Sequence, residues 1–227
     1  MTVDSYVEML KHVYSSGTNN HPEHNTNPDY WGTLLRYVIK NTEKLEGKYA
    51  LDFGCGKGRN VSNLLRLAKW KQVDGVDISQ NNIEFCRNTH DKNITNFYHN
   101  NGRDLSDLNS NFYDFVMSTI VFQHICVHEV RFKLFEEIFR IMKKGGVFSL
   151  QMGYGDSSFV KDAKISNYYD NNYLASNSNG TYDVRVSDEK ELINDLTKIG
   201  FKTVTCVVKP SWADGGHLYW IYTEAVK

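Results

Sequence analysis

The chain has 227 residues, 41% apolar and 13% aromatic, with 26 Lys+Arg against 27 Asp+Glu and a formal net charge of -1. Such apolar and aromatic content excludes a disordered chain, and the length suits a single domain, 1–227, with a full core. The charge balance argues against a dedicated polyanion binder, so no nucleic-acid partner is expected.

Cys55, Cys86, Cys126 and Cys206 form no CxxC pair, which argues against paired disulfides and a thiolate zinc site and fits a reducing cytoplasm. No signal-peptide core and no apolar run of roughly 18 residues is visible, so the chain is expected to be cytoplasmic and not membrane-bound. Residues 1–47 read as two helices around a polar interruption. Asp29 is placed to cap the second helix, and Trp31, Leu34, Leu35, Val38 and Ile39 form its apolar stripe. From 48 onward, short apolar runs alternate with helical patterns: strands at 48–53, 73–77, 94–99, 113–118 and 146–152, helices at 60–69, 79–89 and 127–142. Ser79 is an N-cap candidate, and Gly145 is placed as the C-terminal cap of the third of these helices. The alternation predicts a parallel sheet wound on both faces by helices. A helix at 188–199 follows, with Asp188 and Glu191 at capping-box spacing. Runs at 203–208 and 217–223 lie too close for a helical crossover. They predict an antiparallel hairpin, and so a mostly parallel sheet with one reversed strand.

The chemistry concentrates at 50–60, where an apolar strand runs into Gly54-Cys55-Gly56-Lys57-Gly58 and then a helix. Glycines there let the backbone turn tightly and approach a ligand, while the helix start offers free amides. Asp52 precedes the first glycine by two residues, and the second strand closes on Asp77. With the reversed hairpin, these features resemble the class I S-adenosylmethionine-dependent methyltransferases from about Lys48 to Lys227. The family's acid-x-Gly-x-Gly-x-Gly motif stands here as Asp52 to Gly58. Its Lys-Pro-Gly-Gly motif stands as Lys143-Lys144-Gly145-Gly146, with Lys in place of Pro. The resemblance implies a Rossmann-like, doubly wound α/β fold with a seven-stranded, mostly parallel sheet, one antiparallel C-terminal strand and an N-terminal helical lid.

It also implies S-adenosyl-L-methionine as cofactor and S-adenosyl-L-homocysteine as product. Asp77 would take the ribose hydroxyls and Ile78 the adenine face. Gly54, Cys55, Gly56 and Gly58 would follow the ribose and methionine, and Asp52 would sit near the amino group. The adenine amine would meet Asn101, beside Gly102, or Asp104 in another register. Ser118, with Thr119, would face the methionine, and Trp31 would pack on the cofactor from the lid. Bland alternatives stand beside these: Asp52 ordering the loop amides, Asp77 capping a helix, and Trp31 anchoring the core.

Methyl transfer needs a base only when the acceptor must lose a proton. His124, in Val121-Phe122-Gln123-His124, follows the fourth strand at the mouth of this fold and is the first candidate, the alternative being a packing histidine. His128, His217, Tyr154 and Asp156 rank behind it. His21-x-x-His24 lacks acid or thiol company, so no metal is expected. The insertion 153–187, rich in Tyr, Asn and Ser, is the expected acceptor side. It suits a small polar acceptor such as a sugar-nucleotide or other polysaccharide precursor, a reading shared with a resemblance to methyltransferases of bacterial polysaccharide gene clusters. The chain is expected to act as a monomer or weak homodimer. Two other readings remain: an NAD-dependent oxidoreductase, although that fingerprint needs GxGxxG rather than GxGxG, and an inactive adenosyl-cofactor-binding protein.

Overall fold

The computed structural model describes residues 2–16, 30–155, 164–174, 182–211 and 217–227. Asp29, His21, His24 and Asp156 lie outside them, as do the side chains of Trp31 and Tyr182.

Seven strands form one sheet: β1 (Tyr49–Phe53), β2 (Gln72–Asp77), β3 (Phe97–His99), β4 (Tyr113–Thr119), β5 (Met142–Tyr154), β8 (Thr203–Pro210) and β9 (Tyr219–Val226). Their order is β3-β2-β1-β4-β5-β9-β8. All neighbouring pairs are parallel except those of β9, which runs antiparallel to both β5 and β8. The expected hairpin and single reversed strand are therefore present. The strand order reverses between the parallel neighbours β1 and β4, so the connections leaving their C-terminal ends run to opposite sides and open a crevice, the usual ligand position in such sheets.

The helices are α1 (Val3–Ser16), α2 (Arg36–Lys40), α3 (Arg59–Leu67), α4 (Gln80–Thr89), α5 (His128–Ile141) and α6 (Glu189–Ile199). Buried side chains form two cores. One gathers Tyr6, Val7, Leu51, Val116, Phe135, Ile138, Phe148 and Leu196; the other gathers Leu34, Val38, Ala50, Val61, Leu64, Phe115 and Met117. Strand alternation sends Leu51 and Val116 to one core and their neighbours Ala50 and Phe115 to the other. The expected second helix is broken into a π turn (Tyr30–Leu34), α2 and a 3-10 turn (Thr42–Leu45), and Ile39 is 44% exposed. Among the described side chains, Leu34, Leu35 and Val38 carry its buried stripe.

Local signals start two of the helices, α4 and α6. The Ser79 side chain accepts from the Asn82 amide at 3.4 Å, and Asp188 and Glu191 form the full capping box of α6. Gly145 is a correction: Met142, not Gly145, ends α5, and Gly145 already belongs to β5. Its φ of +81° falls where the β4–β5 register shifts, between Tyr113 opposite Met142 and Phe115 opposite Val147. The glycine accommodates that irregularity and its amide donates to the Lys227 carbonyl at 2.8 Å.

The insertion contributes two short parallel strands, β6 (Lys164–Ser166) and β7 (Tyr182–Val184). Arg131 of α5 is fully buried and holds this region to the loop after β4. Its guanidinium donates to the Ile125 and Tyr168 carbonyls and lies 5.0 Å from the Tyr168 ring centroid. No described helix is long and apolar enough to cross a membrane.

Asp188→Ala removes the α6 cap and is expected to cost about 1 kcal/mol. Thermal denaturation should show a drop of roughly 2–4 °C with the helical content of the folded state unchanged.

Candidate active site

The C-terminal ends of β1, β2 and β4 open onto a cavity of about 850 Å³. The glycine loop from Gly54 to Gly58 forms one wall; Asp77, Ile78, Asn100 and Gly102 form another. Thr119, Ile120, Val121 and His124 continue from β4, and Leu10 and Tyr14 of α1 approach from the N-terminal side.

The loop glycines answer different demands. A Cβ on Gly54 (φ +75°) would meet Val121 Cγ2 at 2.2 Å, because the loop after β4 presses against it. A Cβ on Gly56 (φ +53°) would meet nothing within 4 Å, so this backbone borders open space. Cys55 turns its thiol inward: a Cβ on Gly75 would meet Cys55 Sγ at 2.7 Å, which leaves Cys55 only its backbone for the cavity. Ile120 also sits at φ +57°, a costly conformation for a β-branched residue, on the cavity wall.

Asp77 accepts from the Gly56 amide (2.8 Å) on Oδ2, and from the Ser79 amide (2.8 Å) and Asn82 Nδ2 (3.3 Å) on Oδ1. A carboxylate has about four acceptor positions, so Oδ2 retains capacity. Burial raises the Asp77 pKa, and these bonds reverse only part of that rise. Asp52 differs. It is 1% exposed, and both carboxylate oxygens lack a hydrogen-bond partner among the described residues. Burial pushes its pKa up to about 7, opposed by Arg59 and assisted by Asp77.

Three expected cofactor residues need comment. Asn101 does not line the main cavity; its Oδ1 accepts from the Arg103 (2.7 Å) and Asp104 (2.9 Å) amides and closes a turn. Asn100 lines the cavity instead, a register shift of one that an Asx turn imposes. Ser118 is buried with its hydroxyl on the Phe53 carbonyl at 2.9 Å, tying β4 to β1, so strand alternation leaves Thr119 on the cavity wall. The Trp31 side chain lies outside the described residues.

His124 lies on the cavity wall with Nδ1 2.6 Å from Asp183 Oδ1. The other oxygen, Asp183 Oδ2, lies 2.9 Å from His217 Nε2. Burial lowers the His124 pKa, but the Asp183 carboxylate outweighs it and the net shift is upward. The Tyr14 ring lies 5.9 Å from the His124 ring. His128 is held elsewhere, 2.8 Å from Asp195. Sequence reasoning missed Tyr14, Asn100 and Asp183. Tyr6, Leu10 and Tyr14 at four-residue spacing do mark a single face of α1. Asp183, 59 positions from His124, carries no local signal.

Residues 51–150 match a family model described as a methyltransferase domain. Over that segment, less than half of its length, the chain resembles methyltransferases. It is 32% identical over 105 residues to a fatty-acid O-methyltransferase of Mycolicibacterium smegmatis, a match covering 46% of this chain and 36% of that relative's length. Among solved structures it resembles an S-adenosylmethionine-dependent methyltransferase of Mesorhizobium loti (TM-score 0.62, 15% identity), over 89% of this chain and 99% of that one. It also resembles the phosphoethanolamine N-methyltransferase 2 of Haemonchus contortus bound to S-adenosyl-L-methionine (TM-score 0.62, 18% identity), over 99% of this chain and 57% of that one.

S-adenosylmethionine, named for those solved structures, fits these residues. The unpartnered Asp52 carboxylate suits an ammonium, Gly56 leaves space for a ligand against the backbone, and Asp77 retains acceptor capacity.

Asp52 yields a two-signed prediction. The native protein keeps the Asp52 proton up to about pH 7, whereas the unfolded chain loses it near its ordinary value of 3.8. Stability therefore falls as pH rises between those values, and the full cost is present above them. Asp52→Asn should raise the Tm of the ligand-free protein at pH 8 by on the order of 5 °C and weaken S-adenosylhomocysteine binding. Thermal shift and calorimetry read the two effects separately.

Proposed function

We propose that this chain transfers a methyl group from S-adenosylmethionine to an oxygen or nitrogen of a small acceptor, with His124 as the base when the acceptor must lose a proton. The observation that carries the reading is His124 on the wall of the cofactor-sized cavity, its Nδ1 held by the partly buried Asp183 carboxylate.

The bound cofactor supplies a methyl carbon activated by a sulfonium. Asp77 binds the ribose through Oδ2, and Ile78, Asn100 and Gly102 border the adenine. Gly54, Cys55, Gly56 and Gly58 follow the chain toward the methionine end, where Asp52 meets the amino group; Thr119 stands in the place expected of Ser118. With Nδ1–H directed at Asp183, the Nε2 lone pair of His124 is the one free to accept the acceptor's proton. Leu10, Tyr14, Val121 and Ile125 border that end of the cavity and exclude water from it.

A sugar-nucleotide or polysaccharide-precursor acceptor rests on the polar composition of 153–187. The described tyrosines of that segment give it little help. Tyr168 is buried with its hydroxyl on Asp195 at 2.9 Å, Tyr173 packs edge-on to Tyr6 at 6.1 Å, and neither they nor Tyr154 or Tyr169 line the cavity. An acceptor panel should therefore include sugar nucleotides, carboxylic acids, phenols and phosphorylated amino alcohols.

Calorimetry with S-adenosylhomocysteine should show tight binding to the wild type. Asp77→Ala should weaken it by roughly tenfold or more through loss of a charge-assisted ribose contact. Stabilisation by NAD alone would point to an oxidoreductase, and adenosyl binding without turnover on any acceptor would leave a binding protein.

With a hydroxyl acceptor, His124→Ala should lower turnover by about 10²–10⁴-fold while cofactor affinity holds. Gln at 124, a poor base, should not restore the rate.

A further inference from the structure

The acid that holds His124 is supplied by the insertion, and a second histidine grips that acid. Asp183 stands on β7, 16% exposed, between the two imidazoles at 2.6 and 2.9 Å. His217 is 1% exposed and enters from the residues leading into β9. Its ring lies over Gly153 of β5, where a Cβ would meet His217 Cε1 and Nδ1 at 2.1 Å, and beside Trp220, centroids 5.1 Å apart. A ring so enclosed has little freedom to turn, so its Nε2 stays on Asp183 Oδ2.

We propose that Asp183 is the positioning residue that sets the tautomer and orientation of His124, and that His217, seated on Gly153, fixes Asp183 for that task. The proposal rests on His124 being the base. An imidazole whose Nδ1–H faces a carboxylate must present Nε2 as acceptor. On abstraction the acceptor's proton moves to Nε2 and Nδ1 keeps its own. The resulting imidazolium lies against one negative charge in a buried setting and returns the proton to solvent between turnovers. The base thus depends on three separate segments: the loop after β4, β7 and the lead into β9.

Other groups around His124 do not replace this charge. Tyr14 and Tyr6 of α1 and the Cys126 thiol are held neutral by burial. Asp77, which also acts on Tyr14, already accepts three hydrogen bonds. Asp183 itself is pushed up by burial, yet His124 and His217 together hold it well below the usual carboxylate range.

The test measures kcat, KM and their pH profiles for the full chain with a hydroxyl acceptor, plus S-adenosylhomocysteine affinity as a control. Asp183→Asn should lower kcat by about 10²-fold or more with cofactor affinity unchanged. Because Asp183 raises the His124 pKa, the acid limb of kcat/KM should also move to lower pH in that variant. His217→Ala should lower kcat, and His217→Gln, which can still donate to Asp183, should recover most of it. If His124→Ala is fully active, the base assignment itself fails. If His124→Ala is inactive while Asp183→Asn keeps the wild-type kcat and acid limb, the positioning role is overturned and the base stands. Should Asp183→Asn not fold, the His217 pair decides. Loss in Ala with recovery in Gln supports the proposal, and equal full activity in both overturns it.

Discussion

One buried guanidinium holds the working end of this molecule together. Arg131 donates to the Ile125 carbonyl in the loop after β4 and to the Tyr168 carbonyl in the insertion, with the Tyr168 ring beneath it. Tyr168 in turn reaches Asp195 on α6, and His128 at the start of α5 meets the same carboxylate. An unpaired cation in that position would be costly, so each element must arrive before the arrangement is stable. His124 and Asp183 ride on two of the segments joined there. Their 2.6 Å contact is a consequence of that junction as much as of their own attraction.

The cavity side shows the opposite economy. Most buried polar groups in a folded protein are satisfied, yet Asp52 has both oxygens unpaired among the described residues. Such a group destabilises the ligand-free fold and becomes favourable only when a cation arrives. The strained Ile120 and the close contact between Gly54 and Val121 lie within the same few residues. Local cost is concentrated around the cavity, while the sheet beneath, with its two apolar cores, supplies the stability that tolerates it.

Likeness to methyltransferases and choice of acceptor have different physical bases. The glycine-loop side of the cavity is built from β1, β2 and β4 and the loops at their C-terminal ends, the part covered by the matched 51–150 segment. The surroundings of His124 draw also on α1, on β7 of the insertion and on the approach to β9, outside that segment. The relatives with named substrates, a fatty-acid O-methyltransferase and a phosphoethanolamine N-methyltransferase, differ in acceptor. The fold alone therefore does not carry the acceptor.

By itself the sequence determined what depends on neighbours along the chain. Alternating strands and helices, the Asp188–Glu191 box, the glycine loop with Asp52, and Asp77 at a strand end are all local patterns, and they led to a parallel sheet with one reversed strand and a cofactor crevice. It also placed His124 at the mouth, because a residue just after β4 must lie at the C-terminal edge. Tertiary structure decided the rest. The choice of Asn100 over Asn101 and of Thr119 over Ser118 turned on which way single side chains face, a matter of one residue in register. Gly145 became part of a strand because β5 begins immediately where α5 ends, which no capping rule foresees. Asp183 is the clearest case. Its partners lie 59 and 34 positions away, and no periodicity links residues that meet only after an insertion folds back over the sheet.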